Sequence, residues 1–104
     1  MLDIYLVSIQ LCRDVRVIGE QVGARDKNLL DQLRRAVTSV PLNLAESDGV
    51  SGGNRRQRRL TALGSAREVG ACLDVAEALG YARVDAAVRG RLDHVIGVLV
   101  KVTR

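Results

Sequence analysis

The sequence predicts an all-α protein, a single domain over residues 1–104 folded as an up-down-up-down four-helix bundle. Three observations predict it. Apolar residues recur at spacings of four and three in four separate segments, the rhythm of one buried helix face. Tyr5 and Tyr81 are the only aromatic residues, so the core has to be built from Leu, Val, Ile and Ala, which suits interdigitating helices better than stacked sheets. The segments are joined by short glycine- or charge-containing stretches, which make neighbours in sequence antiparallel neighbours in space. A chain of 104 residues has room for one core.

The first helix is expected from about Leu2 to about Val22, with Ile4, Leu11, Val15, Ile18 and Val22 inward and Ser8 filling the missing step. Gly23 should close it, leaving Ala24 to Lys27 as a charged turn. Asn28 is then positioned to cap the second helix, with Asp31 three residues on as in a capping box. That helix extends to roughly Ser47 on the stripe Leu33, Val37, Val40 and Leu44. Pro41, the only proline, lies inside it. Proline removes one backbone hydrogen bond and crowds the carbonyl of Val37, so a kink is expected, the alternative being a helix end at Val40. The apolar phase passes through Pro41 without a shift, which favours the kink.

Asp48 to Gly53, DGVSGG, reads as a loop. Asn54 and Gln57 repeat the capping signature for a third helix running to Leu79, with Ala62, Ala66, Val69, Leu73 and Ala76 inward. Gly80 should supply its left-handed stop and Tyr81 the apolar residue that packs back over it. The fourth helix begins near Asp85, a candidate cap, and runs to about Val102 on Val88, Leu92, Val95, Leu99 and Val102. Gly90 and Gly97 share a face of it. Close approach of another helix, from the same subunit or a neighbour, would account for them.

Three stretches carry a resemblance: QLRRA at Gln32 to Ala36, SVPLNLAE at Ser39 to Glu46, and ALGSAREV with LDVAEALGY between Ala62 and Tyr81. Together they resemble the bacterial four-helix-bundle proteins first noticed as products of intervening sequences in 23S ribosomal RNA genes. The accessory variability proteins of diversity-generating retroelements are similar at greater distance. The resemblance is ordered from about Asn28 to Tyr81. It implies a kinked four-helix bundle assembled as a homo-oligomeric ring or barrel, most often a homopentamer, with no assigned catalytic activity and a basic surface directed at RNA or DNA. By motif match it singles out Arg34, Arg35, Ser39, Pro41, Asn43, Glu46, Ser65 and Glu68. Two departures stand out. Ser47 occupies a position where the family usually has glycine, and Arg58 and Arg59 fall where relatives carry aromatic or large apolar residues.

The residues themselves offer two constellations. Arg35, Ser39, Asn43 and Glu46 form a polar row beside the core stripe of the second helix, and Ser65 and Glu68 can project similarly from the third. If the two faces meet, hydrogen bonds can satisfy Asn43 and pair Arg34 or Arg35 with Glu46 or Glu68. The structural interpretation is a lock on helix register. The other is a binding or catalytic site, which would need a nucleophile beside a base, and the single histidine, His94, lies on the fourth helix. A di-iron site is excluded on the same ground: it needs two Glu-x-x-His pairs, and the residue three before His94 is Arg91.

The second constellation is basic. Arg55, Arg56, Arg58, Arg59 and Arg67 fall between Gly49 and Arg67 without an acid among them, while the remainder carries eleven basic and twelve acidic residues. The first four fan across the opening turns of the third helix, where free backbone amides also favour anions. Phosphate fits such a site, and arginine recognises it in bidentate fashion. No aromatic lies nearby to stack on bases, so recognition of RNA or DNA would be of backbone rather than sequence. The rival interpretations are a solvated surface, or contacts to neighbouring subunits or a protein partner. Cys12 and Cys72 match neither a zinc nor a CxxC spacing and read as small hydrophobes. No metal, cofactor or small-molecule substrate is indicated. No charge-free run approaches a membrane span, and the acid in MLDIYLV is wrong for a signal peptide, so a cytoplasmic location is expected.

Overall fold

A computed structural model of the protein describes residues 2–104. Four helices account for nearly all of them: α1 (Leu2–Arg25), α2 (Lys27–Asp48), α3 (Gly52–Ala78) and α4 (Ala86–Thr103). Each packs on its neighbours in sequence, and α4 closes back on α1, giving a bundle of 42 × 24 × 20 Å. The core consists of the expected stripes. Ile4, Leu11, Val15, Ile18 and Val22 from α1 meet Leu33, Val37, Val40 and Leu44 from α2. Ala62, Ala66, Val69, Leu73 and Ala76 from α3 and Val88, Leu92, Val95 and Leu99 from α4 complete it.

The boundaries differ from expectation in instructive ways. Gly23 does not end α1. A Cβ there would stand 2.5 Å from Leu30 Cδ2, and one at Gly19 would stand 2.8 Å from Leu30 Cδ1, so the two glycines form a seat for a leucine of α2. The cap of α2 is Asp26, not Asn28: its backbone is extended and its carboxylate accepts the Leu29 N–H at 2.9 Å. The turn between α1 and α2 is therefore a single residue. At the other end, α3 begins at Gly52, two residues before the expected cap Asn54, with Gly52 at φ +62° and Ser51 making no side-chain capping bond.

Helix α2 passes through Pro41 without ending. The missing Pro41 N–H leaves the Val37 carbonyl open, and Cys12 Sγ–H of α1 donates to it at 3.6 Å. Cys12 thus has a role beyond packing, while Cys72 is buried as expected. Burial pushes both thiols above their ordinary pKa, which keeps them protonated and weakly reactive. Helix α3 stops as predicted. Gly80 adopts φ +73°, its N–H donates to Glu77 O, and the Tyr81 N–H reaches back to Ala76 O at 2.8 Å, a Schellman arrangement with Tyr81 half-buried against the core.

One feature of α4 corrects the expectation and a second narrows it. Val102 is 38 % exposed, and Thr103 takes its place in the core, its hydroxyl donating to Leu99 O at 2.6 Å. A methyl group added at Gly90 or Gly97 would meet nothing within 4 Å among the described residues, so the close approach that would account for them is left to a neighbouring subunit. Each still costs about 1 kcal/mol of helix propensity relative to alanine.

Polar contacts at the margins of the core join specific pairs of helices. Arg91 of α4 donates from Nε and Nη2 to the two carboxylate oxygens of Asp14 in α1, both at 2.8 Å, with the Asp14 side chain only 9 % exposed. Glu77 of α3 accepts from Arg89 and from the Val84 N–H at 3.1 Å, pinning the α3–α4 connection. Arg89 also pairs with Asp74 at 2.8 Å.

Two outcomes follow from these pairs. Asp14→Ala removes a nearly enclosed carboxylate and both of its bonds to Arg91, and should lower the urea midpoint by roughly 0.5 M at unchanged slope. The Arg89 hydrogen bond, helped by the Val84 N–H, holds the Glu77 carboxyl below its usual pKa. Its stabilising contribution is therefore full above the unfolded value of about 4.3 and disappears as pH falls through the lower folded value. Urea midpoints of wild type and Glu77→Gln should accordingly differ at neutral pH and converge as the pH is lowered past the unfolded carboxyl value and through the folded one.

Candidate nucleic-acid interface

Helix α3 starts at the end of the bundle where α2 and α4 finish, so its first arginines face two helix C-termini, where unpaired carbonyls attract cations. Arg55 Nε–H lies between Ser47 O at 3.2 Å and Val50 O at 3.0 Å, closing the end of α2. Arg56 donates through Nε and Nη2 to Thr103 O at 3.1 and 2.8 Å, closing the end of α4. Arg58 pairs with Glu46 of α2 at 2.9 Å, both side chains about half exposed. The four arginines are gathered at one end, and three of them have partners within the chain.

Arg59 is different. Counting back from Ala66 and Ala62 in steps of four and three reaches Arg59 and then Arg55, so both continue the inward stripe of α3 and are half-buried. The Arg59 Nε is enclosed and finds no hydrogen-bond partner among the described residues. This is where the resemblance places a large apolar side chain. Arg67 stands apart, exposed two turns further along α3 and making no ion pair among the described residues.

The polar row is assembled only at its centre. Ser65 Oγ–H of α3 donates to Ser39 Oγ at 2.7 Å, and Asn43 Nδ2 donates to Ser39 O and Oγ at 2.9 and 3.0 Å. The ends of the row turn elsewhere. Arg35 pairs with Asp31 one turn back on its own helix, and Glu46 pairs with Arg58 rather than with an arginine of α2. Arg34 and Glu68 are exposed and make no ion pair among the described residues. The Ser39–Ser65 bond fixes the register of α2 against α3, and the centre consists of two hydroxyls and an amide. Ser47, the other departure from the family pattern, is fully buried and donates to Leu44 O at 2.7 Å, satisfying itself locally.

An open groove of about 530 Å³ runs between α1 and α2, with Arg16, Glu20, Lys27, Asp31 and Arg34 above Gly19, Gly23 and Leu30. Its charges alternate in sign and it lies away from the arginine cluster. His94 is exposed on α4. No helix among the described residues is long and apolar enough to cross a membrane.

Sequence reasoning missed the Asp14–Arg91 pair, the Glu77 latch and the Cys12 bond. Only the latch left a local signal, an acid one turn before the Gly80 stop. The enclosed Arg59 Nε generates a prediction. Replacing it with leucine extends the core stripe and removes an unsatisfied donor, so Arg59→Leu should raise unfolding stability by roughly 1 kcal/mol. A lowered urea midpoint would contradict this.

No curated protein matches the chain. Among known families, residues 1–99 match the one described as 23S rRNA-intervening sequence protein. That match covers all of α1 to α3 and most of α4, including the helices where the motif-level resemblance is weakest. With four helices, the Pro41 segment and the Ser39–Ser65 seam in place, the chain belongs to the 23S rRNA-intervening sequence protein family.

Proposed function

We propose that this protein is a non-enzymatic, self-associating bundle of the cytoplasm that binds RNA or DNA phosphates through the basic end formed by the start of α3. The supporting observation is the gathering of Arg55, Arg56, Arg58 and Arg59 on two turns at one end of the bundle, with Lys101 and Arg104 of the adjacent α4 terminus on the same end. Carbonyl bonds hold Arg55 and Arg56 in place without neutralising them, so their remaining N–H groups keep both charge and fixed direction. The family name, which refers to a ribosomal RNA insertion, is compatible with such a partner. Assembly as a ring, as a pentamer in the arrangement the resemblance implies, would repeat this end around one rim and add phosphate contacts copy by copy. A bend of α2 at Pro41 would shape the subunit for that ring.

A second interpretation has its own support. Because Arg55, Arg56 and Arg58 already engage carbonyls and a carboxylate, the cluster can serve the fold and a protein interface instead, making the assembly a scaffold.

The two are separated by titrating labelled single-stranded RNA at rising salt. Arg58 and Arg67 do not cap another helix, so Arg58→Gln and Arg67→Gln remove charge with little effect on folding. Under the nucleic-acid reading, binding declines linearly on a log–log salt plot, and each variant lowers the slope by roughly 0.7 for every phosphate it no longer neutralises. Absence of binding at low salt leaves the scaffold.

A further inference from the structure

The outward face of α4 around Gly97 is unpartnered among the described residues, and its composition is specific. Gly90 and Gly97 lie in the helix interior, each lowers helix propensity, and the space above each is open. Asp93, His94 and Lys101 share that face, all exposed, and neither Asp93 nor Lys101 enters an ion pair among the described residues. Asp93 is four residues before Gly97 and Lys101 four residues after it, so one helical stripe reads acid, glycine, base with equal spacing on either side.

Such a stripe complements itself in one orientation only. Two parallel copies in register would set Asp93 against Asp93 and Lys101 against Lys101. Two antiparallel copies crossing at Gly97 set each Asp93 beside the other copy's Lys101, about 6 Å along the helix on either side of the crossing. A two-fold contact requires this reciprocity, residue i meeting j and j meeting i. Glycine at the crossing lets the two backbones approach closely. From this charge complementarity and the open glycine surface we infer that α4 packs antiparallel against α4 of a second copy, across a two-fold axis at Gly97. The inference rests on the reading of the chain as self-associating, and it names a face and a symmetry which that reading leaves open. A two-fold contact joins pairs of subunits, or pairs of rings, through a surface centred on Gly97 that adjoins the basic end of α3 at Lys101.

The test uses sedimentation equilibrium of the full chain together with oxidative cross-linking. Asp93→Lys should weaken association about tenfold by placing like charges together. The exchanged variant Asp93→Lys with Lys101→Asp should restore it, because an exchanged stripe is again self-complementary. With Cys12→Ser and Cys72→Ala in place, Gly97→Cys should oxidise to a covalent dimer, since at a two-fold axis a residue meets itself. Circular dichroism establishes that each variant is folded, and open space above Gly97 makes that the expected result. A wild-type chain that stays monomeric overturns self-association and this contact together. Self-association that is indifferent to the charge variants, or is broken by Asp93→Lys without recovery in the exchanged variant, overturns the α4 contact alone. Failure of Gly97→Cys to form a dimer in an associating sample does the same.

Discussion

A core without buried aromatics constrains everything else in this bundle. Leucine, valine, isoleucine and alanine fill the space between four helices, and α3 contributes three alanines, Ala62, Ala66 and Ala76, to that interior. Small side chains bring backbones close. Gly19 and Gly23 receive Leu30, and a methyl group at Gly70 would already touch Leu92 at 3.4 Å. Aliphatic stripes of this kind hold helices together while leaving their axial register weakly specified. Directional contacts at the margins supply the register: Asp14 with Arg91, Ser39 with Ser65, and Glu77 with Arg89. Each ties one helix to one neighbour at one height.

The arginine cluster belongs partly to the same scheme. Two helices end where α3 begins, and each end presents carbonyls without intrahelical partners. Arg55 and Arg56 answer them directly. A basic run at this position is thus explained in part by the fold before any partner is considered, and the positive field at that end is a consequence of placing cations at two helix C-termini. Structural and binding roles are compatible here, because a guanidinium has five N–H groups and a single carbonyl occupies only one or two of them.

The helices and their inward faces were legible in the chain because a 4-3 repeat of apolar residues has one physical solution, and the Gly80–Tyr81 stop because its chemistry is local. Less local features were not. Asp26 and Asn28 are both good caps, and the competition was decided by the seating of Leu30 between Gly19 and Gly23, which determines how far α1 continues. Gly23 resembled a terminator and proved to be a packing position. Of the candidate polar network, the Ser39–Asn43–Ser65 centre was legible from shared helix faces. The fates of Arg35 and Glu46 depended on which acid or base stood nearer in space, which spacing along one helix cannot reveal. Arg55 and Arg56 as caps required knowing that α2 and α4 end beside them.

The bond from Arg56 to Thr103 also governs how the molecule opens. The last turn of a helix ordinarily frays independently, its amides exchanging with solvent far faster than those of the interior. Here the final carbonyl of α4 is held by a side chain from the opening turn of α3, so loosening one end releases the other. The start of the third helix and the finish of the fourth are therefore coupled in local opening through this one side chain, although 47 residues separate them along the chain.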